Sequence, residues 1–276
     1  MNHPSPVIPN RLLFVWLGAR FPLVNLVAMR SALARCGAEE VVLIADRIGR
    51  ADPQLAELAS DPRLRVIRPE EVLRRSVPGF SGGLQSLYAE LTAPAARANI
   101  LRLAELFHGG GVYLDTDTIT VRDLAPLREQ PGFCGLETLA LPREVAEARN
   151  PWTIAKTGLR VAARQVCARL PRPDRAFAPL ERMYPRAVNN AVLGACPNND
   201  LIGRALARMA TLDSRERRRR FRLGTHLMQE VTENRSSPQM RVLGPRAFYP
   251  LGPEVSVAWF RPSSAARLDE LVTEET

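Results

Sequence analysis

Short apolar runs alternate with helix-forming segments over the first quarter of the chain, and this alternation limits the folds available to it. The runs at 12–17, 40–46 and 64–67 are short and mostly continuous, as is typical of strands that helices cover on both faces. Helical content fills 22–36, and a short helix is expected to begin at Pro69. This order favours parallel strands joined by crossover helices. The sequence therefore predicts an α/β fold with a mostly parallel, Rossmann-like sheet flanked by helices.

The second half of the chain is less regular and predicts additional helices. Five prolines between residues 149 and 185 favour loops with short helices in that region. A helix is expected over 198–212, because Asn198 or Asn199 can serve as its N-cap. Two strand-like pieces follow, at 240–243 and 255–260.

The composition is that of a globular protein with a substantial core. Of 276 residues, 46% are hydrophobic and 24% are charged, which excludes a mainly disordered chain. No repeat or low-complexity linker interrupts the sequence, so we expect one domain over 1–276, with an α/β half at 1–125 and a second half at 126–276. The four cysteines have no short spacing, which favours isolated thiols over disulfides or a zinc site.

Hydropathy and charge restrict where the protein acts. No apolar stretch approaches the ~20 residues that span a bilayer, and the N-terminus lacks the regions of a signal peptide, so we expect a cytoplasmic protein. Basic residues outnumber acidic ones by 38 to 29, although Lys156 is the only lysine. This excess could attract phosphate-bearing ligands, nucleic acid or the anionic inner face of the membrane, where the protein could bind peripherally. The densest basic run, at 215–222, is typical of a solvated helix face.

The segment 92–121 carries the clearest chemical signal. A helix that begins near Pro94 stops at three glycines, and a buried strand then ends in Asp115-Thr116-Asp117. In an extended strand these two aspartates face the same side with Cα atoms about 6.6 Å apart. At ~4 Å and an effective dielectric of ~20, two carboxylates repel by ~4 kcal/mol. A proton, an arginine or a metal cation must relieve that repulsion, and oxygen ligands suit Mg²⁺ or Mn²⁺. The alternative is a pair of exposed loop residues after a strand.

The helix before the glycines presents two polar side chains at its apolar face. Asn99 falls inside the apolar arc and Arg102 lies at its edge. A buried amide without a partner costs about 1–3 kcal/mol, so Asn99 must bond either to nearby backbone or to a ligand in a cleft beside the aspartates. Arg102 could bind a phosphate or sugar hydroxyl in that cleft. The arc comprises Ile100, Leu103, Leu106 and Phe107, and Arg97, Glu105 and His108 are expected on the opposite face.

These residues resemble the DXD-containing glycosyltransferases of the GT-A fold. The similarity is to the sugar-binding-region group, which includes yeast mannosyltransferases, bacterial capsular and lipopolysaccharide glycosyltransferases and, more distantly, clostridial glucosylating toxins. Its pattern of S/A-D-x-x-R, a glycine pair and Y-L-D-x-D corresponds here to ANILR at 98–102, GG at 110–111 and YLDTD at 113–117. The segments IPNRLLFVWLG (8–18), VNNAVLGACP (188–197) and FYP (248–250) also resemble the family, in order along the chain.

The resemblance implies a role for each matching residue. Asp115 and Asp117 would hold Mn²⁺ or Mg²⁺ with the nucleotide diphosphate, and Arg102 would contact the donor's phosphate or sugar; these three form the implied catalytic set. Trp16 would lie near the nucleobase, although a core tryptophan is an equal alternative. The remaining implied positions are Asn189 or Asn190 at the donor sugar or acceptor, Glu254 as a further metal ligand and Trp259 beside the pyrophosphate.

Asn99 departs from the family pattern, which has aspartate at this position to bind hydroxyls of the donor sugar. An amide both donates and accepts hydrogen bonds, whereas a carboxylate only accepts them, so the sugar preference could differ. Asparagines 189 and 190 have an alternative role of their own, since asparagine is also common in turns and caps.

The function implied by the resemblance is metal-dependent transfer of a hexose from UDP- or GDP-hexose to a hydroxyl of a glycan, a lipid-linked sugar or a protein, with retention at the anomeric carbon. The residues at 1–125 would bind the nucleotide-sugar and those at 126–276 the acceptor. Such a reaction would serve polysaccharide biosynthesis.

Two other functions are weighed against this one. A haloacid-dehalogenase-like phosphatase would use Asp115 as nucleophile, but it also needs a downstream lysine and a paired acidic motif. Only Lys156 is present, and no D-D or G-D-x-x-x-D follows. A non-enzymatic protein could use the basic surface to bind nucleic acid or membrane, and 215–222 would be its best feature. Nucleic acid is not expected as a partner.

Overall fold

A computed structural model describes residues 7–47, 52–75, 84–139, 150–219, 221–233, 239–250, 272–274 and 276. Within these residues seven strands form a sheet in the order β3-β2-β1-β4-β6-β5-β7. The strands are β1 (Arg11–Trp16), β2 (Glu40–Ala45), β3 (Leu64–Ile67), β4 (Gly111–Leu114), β5 (Gly132–Thr138), β6 (Arg186–Ala195) and β7 (Arg241–Leu243). The helices are α1 (Leu23–Arg35), α2 (Pro53–Leu58), α3 (Pro69–Leu73), α4 (Leu84–Glu90), α5 (Pro94–Gly109), α6 (Pro151–Cys167), α7 (Pro173–Glu181), α8 (Asp200–Thr211), α9 (Ser214–Arg217), α10 (Thr225–Glu233) and α11 (Pro245–Phe248).

The first four strands form the parallel part of the sheet. β1 pairs in parallel with both β2 and β4, and β2 pairs in parallel with β3, whereas β4 and β6 are antiparallel. Residues 12–15 of β1 and 41–45 of β2 are buried, as expected for strands covered on both faces. The predicted α/β fold with a mostly parallel sheet is confirmed.

By its internal contacts the chain forms two compact units. The first contains the described residues of Met1–Cys134 and Asn189–Val242, and it includes the parallel part of the sheet. The second contains those of Gly135–Val188 and Leu243–Thr276, and it includes α6 and α7. The expectation of one domain divided near residue 125 stays a prediction.

The region of five prolines differs from its prediction. Instead of loops with short helices it contains α6, which is 17 residues long. Pro151 occupies the first helical position, where its missing N–H costs nothing, and the Asn150 side chain caps the N–H of Trp152. Pro171 and Pro173 follow the end of α6, so only Pro179 lies inside a described helix, α7.

Several local predictions in the second half are confirmed. Asn199 caps α8 by accepting hydrogen bonds from the N–H groups of Leu201 and Ile202, and β7 lies within the predicted 240–243. The predicted strand at 255–260 lies outside the described residues. All four cysteines are buried and free, as their spacing indicated. Among the helices that the structure describes, none combines the length and apolarity needed to cross a bilayer.

The basic run at 215–222 is not simply a solvated face. Arg217 donates to Glu90 at 2.6 Å and to the carbonyl of Ala210 at 2.7 Å. Arg222 is buried and donates to Glu230 at 2.7 Å. Two arginines of the run are therefore structural, which leaves fewer of its charges for a polyanion.

Candidate functional site

Two glycines connect the end of helix α5 to strand β4 and allow β4 to lie next to β1. Gly110 and Gly111 have φ angles of +63° and +109°, in the region that favours glycine. A Cβ added to Gly111 would lie 2.7 Å from the carbonyl oxygen of Arg11, so a side chain there would force β4 away from β1. The glycine stop predicted from the sequence thus sets the position of the strand that leads into the two aspartates.

The two aspartates lie on a turn at the carboxyl end of β4. The strand ends at Leu114, so the expectation that it runs through Asp117 is wrong. The N–H of Asp115 still pairs with the carbonyl of Ala191 at 2.8 Å, and the chain then turns. The N–H and hydroxyl of Thr118 both donate to the carbonyl of Asp115, at 3.1 and 2.7 Å. Carboxyl ends of parallel strands are where α/β proteins place ligands.

Asp115 is held by two neighbours. Nη2 of Arg102 lies 3.3 Å from its Oδ1, and the hydroxyl of Tyr113 donates to the same oxygen. The guanidinium also lies over the Tyr113 ring, 4.2 Å from its centroid. Burial, together with the charge of Asp115, raises the pKa of Tyr113 well above its ordinary value, so the hydroxyl keeps the proton that it donates. The carboxylate of Asp115 is therefore fixed in place.

Asp117 lacks such support. Its side chain reaches the surface, and it forms no ion pair with a described residue. Partial desolvation and the negative charge of Asp115 raise its pKa, while the lowering effect of Arg102 is weaker. Of the two carboxylates only Asp115 is paired with Arg102, so the site is short of positive charge. Within the described residues no third His, Cys, Asp or Glu joins them.

Two asparagine side chains bond to each other beside Arg102. Nδ2 of Asn190 donates to Oδ1 of Asn99 at 2.8 Å, and Arg102 donates to the backbone carbonyl of Asn190. The partner of Asn99 is thus a side-chain amide and not the backbone. Gly224 lies against this pair, since a Cβ there would be 2.8 Å from Nδ2 of Asn190. The structure brings together Asn99, Arg102, Asn190 and Asp115, which are scattered in the sequence.

Trp16 lies at the same edge of the sheet as the aspartates. Residue Leu13 pairs with Tyr113, so the carboxyl ends of β1 and β4 meet there. The indole is half-buried, donates its N–H to the carbonyl of Arg20 at 2.8 Å and packs edge-on against Phe21. Trp16 is therefore not a fully buried core residue.

The other predicted site residues have separate outcomes. Asn189 lies within β6, and its Oδ1 accepts a local hydrogen bond from the N–H of Ala191 at 2.7 Å. Glu254 and Trp259 lie outside the described residues. Their proposed roles stay predictions.

Tyr113 is the site residue that the sequence interpretation missed, because it was treated only as part of a buried strand. Its position two residues before Asp115 carried a usable signal, since residues two apart in a strand share a face. Gly224 was also missed, and no sequence signal connects it to residues 99 and 190.

A polar cavity of about 480 Å³ lies at the opposite, amino edge of the sheet. Glu105 lines it, is fully buried and bonds to Arg11 and, at 2.7 Å, to Arg75. Arg11 also donates to Glu40 at 2.8 Å. The expectation that Glu105 lies on an exposed helix face is wrong, because α3 and β1 pack against that side of α5. The lining residues are Pro9, Asn10, Arg11, Glu39, Glu40, Arg65, Arg75, Glu105, His108 and Gly109.

Comparison with known proteins supports the resemblance drawn from the motifs. Residues 39–134 match the family model described as a glycosyltransferase sugar-binding region containing a DXD motif. The matched segment holds Asn99, Arg102, Asp115 and Asp117, and the resemblance to this family is confirmed over it. No curated protein sequence matches the chain.

Solved structures establish the fold. The PaToxG glycosyltransferase is 17% identical, with 84% of this chain and 70% of that chain covered and a TM-score of 0.50. The ligand-free glycosyltransferase domain from the YGT toxin is 9% identical, with 91% and 83% covered and a TM-score of 0.50. At these identities the likeness concerns the fold alone, and it confirms the predicted GT-A-like architecture.

Proposed function

We propose that this chain, which carries a DXD sugar-binding region on a GT-A-like fold, is a metal-dependent glycosyltransferase. It would move a hexose from UDP- or GDP-hexose to a hydroxyl acceptor, with retention at the anomeric carbon. One observation carries the proposal: Asp115 and Asp117 follow β4 at the carboxyl edge of the sheet, and Arg102 pairs with Asp115 while Asp117 has no ion pair with a described residue. The family match and the fold make a nucleotide-sugar the expected ligand of that edge.

The pair of aspartates fits a hard divalent cation. Carboxylate oxygens are the ligands that Mg²⁺ and Mn²⁺ prefer, and partial burial together with the negative charge of Asp115 raises the pKa of Asp117. When bound, such a cation would neutralise the charge that builds on the leaving diphosphate. Glu254 remains the proposed further ligand.

The residues of the chain itself would orient the donor. Arg102 and Tyr113 fix the Asp115 carboxylate. The turn in which Thr118 bonds to the carbonyl of Asp115 determines the position of Asp117. We assign Arg102 a positioning role through Asp115. Its Nη1 donates to the carbonyl of Asn190 and its Nη2 lies 3.3 Å from Oδ1 of Asp115, so the guanidinium is held within the site itself.

The remaining contacts concern the two ends of the donor. Trp16 would lie near the base, and Trp259 would lie beside the pyrophosphate. Asn99, with Asn189 or Asn190, would contact the sugar. The acceptor hydroxyl would belong to a glycan, a lipid-linked sugar or a protein, in cytoplasmic polysaccharide biosynthesis.

The test is a panel of UDP- and GDP-sugars assayed for Mn²⁺-dependent release of UDP or GDP. We expect release from at least one donor, and its loss in Asp117→Asn. Asp123→Asn is the matched control, because Asp123 is an exposed aspartate of the same loop and its capping bond to the N–H of Ala125 can be kept by asparagine. Equal turnover by Asp117→Asn and wild type would refute the proposed site.

A further inference from the structure

Helix α6 exposes several large apolar side chains and buries one polar side chain. Trp152 is 76% exposed, Leu159 71% and Val166 59%. On the opposite side of the same helix, Thr157 is buried. Large apolar residues exposed singly are ordinary, but three on one helix, with a polar residue buried behind them, are not.

Five of the exposed apolar residues form one continuous line. They lie at 152, 155, 159, 162 and 166, in steps of three and four that keep them on a single helix face. At ~1.5 Å per residue this apolar stripe is about 21 Å long. A contiguous exposed apolar surface marks an interaction site.

Basic residues flank the apolar stripe, and acidic residues are absent from its helix. At 100° per residue, Lys156 falls on one side of the stripe and Arg169, just beyond the helix end, falls on the other. Both are exposed. The sequence from 150 to 170 contains four basic residues and no Asp or Glu, on a chain of net charge +9. An apolar face bordered by positive charge is the pattern of a helix that lies in a membrane interface.

We propose that α6 docks this protein on an anionic lipid surface. The apolar stripe would enter the boundary between headgroups and acyl chains, with Trp152 at its amino-terminal end, and Lys156 and Arg169 would meet lipid phosphates. The surface is independent of the proposed transfer reaction. A second copy of the chain suits the helix less well, because self-association would bring Lys156 and Arg169 together with no acidic partner on either helix.

Vesicle co-sedimentation tests this docking. Wild-type protein should bind vesicles that contain phosphatidylglycerol and bind phosphatidylcholine vesicles far more weakly. Trp152→Ser and Leu159→Ser should each weaken binding by about 10-fold or more, since each removes a large apolar side chain from the buried face. The matched control is Ile154→Ser. This residue is 51% exposed on the same helix but lies off the stripe, and its change should weaken binding by less than ~2-fold.

A second pair of variants tests the charge component. Lys156→Gln and Arg169→Gln should each reduce binding to anionic vesicles about 5-fold and leave binding to neutral vesicles unchanged. Binding should also weaken as salt is raised. None of the five variants should change donor hydrolysis in solution, so a failure of docking and a failure of the proposed reaction are distinguishable.

Four results would overturn the proposal. The first is no binding of wild-type protein to anionic vesicles, and the second is an equal loss in Ile154→Ser and Leu159→Ser. The third is a fall in the Tm of Leu159→Ser as large as that of a core substitution, which would mean that another part of the chain covers the stripe. The fourth is a wild-type dimer that Leu159→Ser converts to a monomer, without vesicle binding by either.

Discussion

The two edges of the parallel sheet use the same chemical groups in different proportions. At the amino edge the buried Glu105 bonds to both Arg11 and Arg75, and Glu40 shares Arg11. At the carboxyl edge Arg102 pairs with Asp115, and Asp117 has no ion pair with a described residue. Glu40 and Glu105 at the amino edge are therefore paired without a ligand, whereas the carboxyl edge retains an unmatched negative charge. Charge balance distinguishes the supporting cluster, which is formed by these residues of the amino edge, from the candidate site at the carboxyl edge. Cavity volume distinguishes them less well, since the 480 Å³ cavity lies at the balanced amino edge.

The largest expected effect is on stability at the amino edge. Arg11→Met should lower the free energy of unfolding by ~3–5 kcal/mol, because it leaves Glu105 buried with one partner fewer. Chemical denaturation measures this value. Arg65→Met is the control, since Arg65 is an exposed residue 3.2 Å from Glu40, and its loss should cost below ~1 kcal/mol. Equal costs for the two variants would show that the buried cluster is not a supporting element.

The next effect is on activity at the carboxyl edge. Asp117→Asn should reduce transfer by about 10²–10³-fold, as expected when one electrostatic stabiliser of the transition state is lost. It should leave the Tm unchanged or slightly higher, because it removes repulsion from Asp115. Steady-state assays with thermal unfolding separate the two quantities. A large fall in the Tm would show that Asp117 stabilises the fold, as the buried cluster at the amino edge does.

Arg102→Lys tests the arginine that pairs with Asp115. A lysine cannot contact both Asp115 and the carbonyl of Asn190 while stacking on Tyr113, so we expect kcat/KM to fall about 10-fold, with weaker apparent affinity for Mn²⁺. Arg97→Lys, on the same helix over Tyr88, is the control and should leave the Mn²⁺ dependence unchanged. An unchanged Mn²⁺ dependence in Arg102→Lys would exclude a positioning role.

The smallest expected effect is on the pH dependence of stability, which has opposite signs at the two edges of the sheet. Burial and Arg75 lower the pKa of His108, so the unfolded chain binds more protons and stability falls as pH drops below the ordinary histidine value. Asp117 has a raised pKa in the folded protein, so the folded chain binds more protons there. This contribution to stability is lost as pH rises through the raised pKa of Asp117. His108→Asn should flatten the Tm profile between pH ~5 and 7, and Asp117→Asn should not. A profile unchanged in His108→Asn would contradict this account of the amino edge.

Local sequence patterns predicted the parts of the molecule that local forces determine. The strands β1 to β3, the helix stop at Gly110 and Gly111, and the cap at Asn199 depend on residues a few positions apart. Helix α6 was missed although its causes are local, because the prolines were treated as breakers without regard to their position at N1 or beyond the helix end.

The remaining features depend on residues that are distant in the sequence. Asn99 and Asn190 meet across 91 positions because β6 pairs antiparallel with β4, and no pattern near either residue signals this. Glu105 is buried because its partner Arg11 comes from the start of β1, 94 positions away. A helical wheel assigns a face to a residue but does not include the elements that cover that face.

Calorimetric titration of Mn²⁺ in the presence of UDP or GDP tests the central claim most directly, since it measures whether the carboxyl edge takes a cation together with a diphosphate. We predict saturable binding to the wild type with at least one nucleotide. Asp115→Asn and Asp117→Asn should each weaken it about 10-fold or more, as expected for loss of a metal ligand, while Arg65→Met leaves it intact. Binding of equal strength in the wild type and in the variant carrying both aspartate substitutions would contradict the account.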